Sequence, residues 1–584
     1  MTHGENMSTA DQAVSVSRYS SVTEDKSAGA TYTPKLLADF VAKQIVQGVG
    51  RFSGKGTLRI LDPAVGHGEL LVSLLEQLPS QRALKLEVYG FETDLNALNI
   101  AAERLQKKFP LVSFHFESVS FLDFVLENFG IHDYRDLFGP SVPEAYDLII
   151  ANPPYVRTQI LGAKQAKLLA SQFGLSGRLD LYYAFILGIS RVLKPKGFAG
   201  LIVSNRFMTT KSGASIRQAI FDRFNIRHAW DFGDTKLFEA AVLPAVLLVE
   251  GKNGHSDIKP AFSTIYETKN QETDEASNPI EALYKEGVIK IKDGRRFHVQ
   301  HGKLHTNDTP DGVWRVATEA VDSWLKKVNS HTWGTFRDIG KIRVGVKTCA
   351  DKVFIRKDWE NLSLEDRPEL LKPLTTHHIA HRFKPRELAQ KTEILYPHEI
   401  AQGRRRAVNL DNYPQSQAYL EKYRDTLERR KYVIESGREW YEIWVPQDPS
   451  SWDQPKLVFR DIAEEPTFWI DLSGSVVNGD CYWLICEKID QTDLLWLACA
   501  VGNSTFIEKF YDLSFNNKLY AGRRRFITQY VEKFPIPDPY SHLGKKIINL
   551  AKQIYDCSPS PEAEQLEEKL DALVWSALTG DKEG

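Results

Sequence analysis

Two rhythms of apolar positions divide this chain. Between about residues 58 and 250, short apolar runs alternate with longer stretches whose apolar residues recur at helical spacing. The runs at 58–61, 88–92, 112–116, 148–151 and 198–203 read as strands, and their continuity marks burial on both faces. The stretches at 70–78, 95–105 and 181–193 read as the helices between them. Such alternation predicts an α/β fold with a doubly wound, mostly parallel sheet. Two later runs, 227–232 and 242–249, lie close enough to pair as an antiparallel hairpin at a sheet edge. Ahead of the first strand, Leu36, Leu37, Phe40, Val41 and Ile45 predict a helix. Thr33 suits its N-cap and Pro34 its first turn.

Outside that region the rhythm fails. Residues 1–28 are rich in Ser, Thr and charge, and read as a mobile segment. From about 251 to 310 the chain turns polar, with Asn270 to Glu275 as the clearest loop, so residues 29–310 read as one domain ending in a polar linker. In residues 311–584 aromatic and basic residues interleave, in Arg404-Arg405-Arg406, Arg429-Arg430-Lys431-Tyr432 and Arg523-Arg524-Arg525-Phe526. Any one cluster is an ordinary solvated surface; several together point to phosphate contacts.

Composition narrows the class. A chain of 584 residues exceeds one core, and 42% hydrophobic with 26% charged residues is ordinary for a globular protein. The net charge of −2 gives no global basic field, so nucleic-acid contacts must come from local clusters. The five cysteines form no Cys-x-x-Cys pair, which supports neither zinc nor a redox motif. No signal peptide and no membrane-length apolar run are visible, and the expected location is a reducing cytoplasm.

The chemistry concentrates at Asn152-Pro153-Pro154-Tyr155, directly after the apolar run at 148–151. Prolines end the strand because they cannot donate ladder hydrogen bonds. Asn152, held extended before a proline, then stands at the carboxyl end of a strand, where open α/β sheets bind ligands. An aromatic amine is a poor nucleophile because its lone pair is delocalised. The Asn152 oxygen and the Pro153 carbonyl could each accept one N–H and draw the nitrogen towards tetrahedral geometry. Pro154 offers no competing donor, and Tyr155 offers a flat face for stacking.

Upstream, Asp62-Pro63-Ala64-Val65-Gly66-His67-Gly68 forms a glycine-bearing turn between strand and helix. It lacks the third glycine of a pyrophosphate site, and Asp62 would repel phosphates. A cationic, phosphate-free nucleoside such as S-adenosylmethionine suits it better. Glu92, at the tip of the second strand, is placed for ribose hydroxyls. Asp94 reads as a helix cap. Asp123 stands in a loop between Phe121 and Phe124, either as an ordinary loop aspartate or as an acceptor for an adenine amino group.

In this order the motifs resemble the gamma class of DNA adenine-N6 methyltransferases, the class of the Taq enzyme of type II restriction–modification systems. The resemblance is detailed over residues 28–255. It continues loosely through Asp338-Ile339-Gly340, Gly345-Val346-Lys347-Thr348 and Val353-Phe354-Ile355, which resemble the start of that family's target-recognition domain. It implies a mixed α+β recognition domain over 311–584. It implies that Thr33, Asp62, Pro63, Ala64, Val65, Glu92, Asp123 and Pro154 line S-adenosylmethionine, and that no metal is needed. Asn152 and Pro153 would hold the amine of an adenine flipped out of duplex DNA. Tyr155 and, by spacing, Phe238 in Lys236-Leu237-Phe238-Glu239 would stack on its two faces. A cognate restriction endonuclease would share the DNA site without needing to bind this chain.

Related amino methyltransferases that act on cytosine N4, ribosomal RNA or a protein glutamine remain as alternatives. Cytosine-C5 chemistry needs a thiolate, and the first half of the chain has no cysteine. No Pro-Asp … Asp/Glu-x-Lys nuclease cluster is evident, and the intact Asn152–Tyr155 loop argues against a catalytically dead core.

Overall fold

The apolar runs of the first half assemble into a single sheet, in which β1 (Gly56–Asp62), β2 (Leu84–Phe91), β3 (Ser113–Glu117), β4 (Tyr146–Ala151) and β5 (Leu193–Ser204) are parallel. These observations come from a computed structural model. It describes residues 33–581 apart from 53–55, 80–83, 130–145, 156–168, 170, 176–179, 239–242, 255–257, 272–273, 307–308, 489–490 and 516–522. The segment 1–28, read above as mobile, lies outside the described residues.

Both faces of the sheet are covered, as continuous apolar strands require. The alternation along β4 shows how. Leu148 and Ile150 join a cluster with helices α1 (Lys35–Val49) and α2 (Glu69–Gln77). Ile149 and Ala151 join the opposite cluster with α4 (Phe121–Phe129) and α5 (Leu181–Val192). The third helix, α3 (Leu95–Lys108), packs on the first cluster through Leu98, Ala101 and Leu105. Burying a side chain such as Ile149 contributes roughly 1.5–3 kcal/mol, so each side of β4 is held by several such terms.

Four expectations are corrected here. The hairpin of β6 (Phe224–Asp231) and β7 (Pro244–Gly251) exists and is antiparallel, but it is not an edge. The strand order is β3-β2-β1-β4-β5-β7-β6, continued by strands at 261–267, 296–305, 287–291 and 274–276, with a further strand, Arg315–Ala317, on the one at 296–305. Second, the stretch at 251–310 is therefore part of the sheet rather than a linker, carrying β8 (Ala261–Glu267), β9 (Asp274–Ala276), β10 (Gly287–Ile291) and β11 (Arg296–His305). Its polarity arises because a strand such as β11 buries Phe297 and Val299 on one side while His298 on the other is exposed. Third, Thr33 does not cap α1. The helix starts at Lys35, Pro34 occupies the cap position in extended conformation, and no side chain caps it. Fourth, Asp123 is not in a loop; it is exposed in the first turn of α4.

The chain divides into two units at Ala317 and Thr318. The second mixes helices and short antiparallel strands. Lys456–Arg460 pairs with Phe468–Asp471 on one side and with Cys481–Leu484 on the other, and the latter also takes Arg343–Val344. Helices Asp493–Gly502, His542–Cys557 and Pro561–Thr579 share one apolar core with this sheet. A separate core holds Trp359, Trp452, Trp469 and Trp483.

Candidate active site at the strand ends

β4 stops where the sequence says it must, at Ala151, and the residues that follow are tied into a small polar network. The Asn152 Nδ2 donates to the Thr33 hydroxyl at 2.9 Å, across 119 positions of sequence. The Tyr155 hydroxyl donates to Asn152 Oδ1, also at 2.9 Å. The amide is thus fixed in one orientation from both ends. An amide oxygen accepts two hydrogen bonds, so Tyr155 aims this oxygen without by itself exhausting it. Burial pushes the Tyr155 hydroxyl well above its ordinary pKa, which keeps it a donor. Its ring meets Tyr182 edge-on at 6.1 Å. Tyr182 in turn donates to the Ser204 carbonyl at the end of β5.

The turn after β1 is built around carboxylates. Asp62 is fully buried; its Oδ1 accepts the Ala64 N–H at 3.0 Å, and Oδ2 has no hydrogen-bond partner among the described residues. Burial raises its pKa to about 7, against the pull of the Ala64 N–H and with help from the nearby charge of Glu92. Glu92 braces the turn from outside. One of its oxygens accepts the Gly66 N–H at 2.9 Å and the other the Asp94 N–H at 3.0 Å. Asp94 caps α3 by accepting from Asn96 and Ala97. Gly66 and Gly68 have φ of 51° and 78°, a region open to glycine at little cost. Gly90 is needed for a different reason: a Cβ there would lie 2.4 Å from Val65 Cγ2, so the turn could not settle on β2.

These pieces enclose a cavity of about 180 Å³, lined by Thr33, Ala64, Val65, Gly66, His67, Glu69, Leu70, Arg104 and Asn152. The structure therefore brings Thr33, Ala64, Val65 and Asn152 together. Asp62 and Glu92 support the cavity's turn, and Pro153 and Pro154 follow Asn152 in the strand-end loop. Phe238 is not brought to this loop. It is only 4% exposed, in the cluster of α1 and α2 with Trp230 and Phe232, whereas Tyr155 packs against the cluster of α4 and α5. His67, Leu70 and Arg104 are lining residues that sequence reasoning did not single out. Arg104 stands in the last turns of a helix with no local signature.

Residues 83–238 match the Eco57I restriction-modification methylase family, and residues 385–536 match the TaqI-like C-terminal specificity domain. The type II methyltransferase M.BanIII of Aneurinibacillus aneurinilyticus is 38% identical over 567 residues, covering 94% of this chain and 97% of that protein. The chain belongs to the type II DNA methyltransferases of restriction–modification systems. M.BstVI of Geobacillus stearothermophilus is similar at 24% identity, over 88% of this chain and 90% of its own. Among solved structures, the type IIL restriction-modification enzyme MmeI in complex with DNA shares the fold, with a TM-score of 0.59 and 15% identity. That match covers 93% of this chain and 72% of MmeI.

Within the methyltransferase's specificity domain the arginine clusters separate into different kinds. Arg404, Arg405 and Arg406 lie exposed on a strand paired with His398–Ala401. Arg430 is instead buried, donating to the carbonyls of Leu427, Thr348, Glu442 and Trp440, and so pins loops together. Arg524 is held by Asp512 and Glu508, and Arg525 by Asp461. In the exposed strand too, Arg405 donates to the Gln447 carbonyl and Arg406 pairs with Glu399, so members of every cluster have partners within the chain.

Proposed function

We propose that this methyltransferase transfers the methyl group of S-adenosylmethionine to the exocyclic N6 of an adenine flipped out of duplex DNA at a defined sequence. The observation that carries the reading is the Asn152 amide, held at the end of β4 by Thr33 and Tyr155 beside the Pro153 carbonyl. Such an arrangement offers two acceptors to one amino group.

The residues fit the cofactor. Asp62, a buried acid whose Oδ2 has no hydrogen-bond partner among the described residues, holds the turn that lines the cavity through the Ala64 N–H, and its charge complements a cation. Thr33, Ala64 and Val65 would hold the cofactor at the cavity wall, Asp62 and Pro63 would shape the turn, and Glu92 would present the turn's outer edge to the ribose. When bound, the cofactor supplies a methyl group on a sulfonium, which needs no metal to be electrophilic.

The chain's own contribution is positioning and electrostatics. Asn152 Oδ1 and the Pro153 carbonyl accept the two N–H bonds of the amine, concentrating its lone pair on nitrogen. Pro154, having no N–H, leaves those acceptors unchallenged. Tyr155 replaces part of the stacking that a flipped base has lost, worth on the order of 1–3 kcal/mol. Phe238 serves as the second stacking face if residues 236–238 leave the core when DNA binds. Exposed on the surface of α4, Asp123 contributes to adenine recognition only through its first turn. The exposed Arg404–Arg406 strand is the leading candidate for phosphate contact, and a cognate endonuclease recognising the same DNA site completes the system.

The test is transfer of labelled methyl from S-adenosylmethionine to duplex DNA, followed by nucleoside analysis. The expected label is in N6-methyladenine. Label in N4-methylcytosine, or in RNA or protein alone, would overturn the assignment.

A further inference from the structure

The specificity domain carries a two-stranded ribbon. Its strands, His398–Ala401 and Arg404–Ala407, pair with each other and with no other strand among the described residues. The base of the ribbon is fixed. His398 is buried there, and its Nε2 accepts the Ile443 N–H at 3.0 Å. Burial pushes its pKa down to about 3, which keeps the ring neutral and able to accept. Arg405 Nη1 donates to the Gln447 carbonyl at 3.1 Å, and Arg406 Nε donates across the ribbon to Glu399, also at 3.1 Å. The far end is exposed and is turned by Gln402 and Gly403, with φ of 53° and 69°. A two-residue turn with both central residues left-handed favours Asn-Gly or Asp-Gly. Gln402, which has a Cβ, adopts that conformation at a cost. Neither its amide nor the guanidinium of the exposed Arg404 beside it has a hydrogen-bond or ion-pair partner among the described residues. Stability of the fold therefore accounts for neither side chain.

We propose that this ribbon enters the major groove of the target duplex, where Gln402 reads an adenine and Arg404 holds a backbone phosphate. The inference rests on the reading of the chain as a methyltransferase acting at a defined DNA sequence, and it names residues that define that sequence. Two strands about 5 Å apart make a ribbon that fits a major groove about 12 Å wide, while a minor groove about 6 Å wide is too narrow. At the tip, a carboxamide offers a donor and an acceptor on one planar group. Adenine presents the complementary pair on its major-groove edge, N7 accepting and N6–H donating. Residues two apart share a face, so Arg404 and Arg406 lie on the face that carries their partners Ala401 and Glu399. Glu399 engages Arg406, which leaves Arg404, nearer the tip, as the cation for a phosphate. The base held by His398 and Arg405 fixes the direction of the tip, and selecting one base needs that rigidity.

The test is to methylate mixed-sequence duplex DNA with the full chain and map the modified positions at nucleotide resolution. Gln402→Gly removes the amide and suits the left-handed turn, so it should fold at least as well as wild type. It should lower discrimination at a single A·T pair of the motif by roughly fivefold to a hundredfold, the value of one bidentate base contact, and leave the other positions unchanged. Arg404→Ala should keep the motif, weaken binding to every duplex alike, and reduce the slope of log Kd against log salt by about 1, read by fluorescence anisotropy. An intact motif in Gln402→Gly, or a loss spread evenly over all positions, would overturn base reading by the ribbon. An unchanged salt slope would return Arg404 to the solvated surface and overturn its part. Wild-type methylation of DNA without sequence preference would overturn this inference and leave the transfer reaction standing. A wild-type chain that methylates no DNA would overturn the functional reading itself, and this inference with it.

Discussion

Tyr155 and Phe238 stand at comparable places in the sequence pattern and in different places in the molecule. Both are aromatic, and both follow or precede a buried strand near the carboxyl ends of the sheet. Tyr155 is half-buried, with its hydroxyl committed to Asn152. Phe238 is 4% exposed and packed with Trp230 and Phe232. A hydroxyl at the ring's tip needs a polar partner when buried and so fixes where the ring sits. A plain phenyl ring is satisfied by any apolar cluster. Spacing along the chain finds an aromatic residue; it does not choose between a binding slot and a core.

Unfolding separates the two most sharply. Phe238→Ala should destabilise the chain by about 3–5 kcal/mol, the range for deleting a packed aromatic ring, read as a lower urea midpoint at constant slope. A near-silent substitution would mean that the ring leaves the core readily, which would favour it as the second stacking face. Tyr155→Ala should instead show its main effect in turnover. Losing one stacking contact costs on the order of 1–3 kcal/mol, measured as a fall in kcat/KM on duplex DNA that exceeds any fall in stability. Tyr155→Phe, which keeps the ring, should lose less than Tyr155→Ala; equal losses would place the whole effect in the hydroxyl.

The same contrast between buried and tethered groups holds for the acids. Asp62 is buried with its pKa raised to about 7, whereas Glu92 is half-buried and bonded to two backbone amides. A carboxyl whose folded pKa exceeds its unfolded value stabilises the fold fully only below the unfolded value, and that contribution is lost as pH rises through about 7. Wild-type stability should therefore fall relative to Asp62→Asn between pH 4 and pH 7, and the difference should level off above that. A bound sulfonium favours the ionised carboxylate, so cofactor affinity should rise with pH over the same window and lose this dependence in Asp62→Asn. Parallel melting curves for the two proteins across the range would show that Asp62 is not the group responsible.

What the sequence revealed follows from the range of the forces involved. β4 and its loop were legible because burial on both faces makes an unbroken apolar run, and two prolines end it within a few residues. β10 and β11 are not legible, because a partly solvated face breaks such strands into alternation that looks like linker, and β8 is not, because Ser263 and Thr264 interrupt its buried apolar run. The neighbours of Thr33 suit it to a cap, yet its partner is Asn152, far along the chain, and no local rule predicts that bond. Arg430 looked like its exposed neighbours Arg429 and Lys431, and only the fold shows that it points inward to carbonyls. Asp94 is legible as a cap because its partners lie only two and three residues ahead.

In the proposed reaction, the Asn152 amide acts on the amine and not merely on the fold. That role is tested most directly by single-turnover methyl transfer to duplex DNA, measured alongside cofactor binding, in wild type and Asn152→Ala. Binding should stay within a few-fold while transfer falls by roughly a hundredfold or more, the scale of a lost transition-state hydrogen bond. Near-normal transfer in the variant would contradict it.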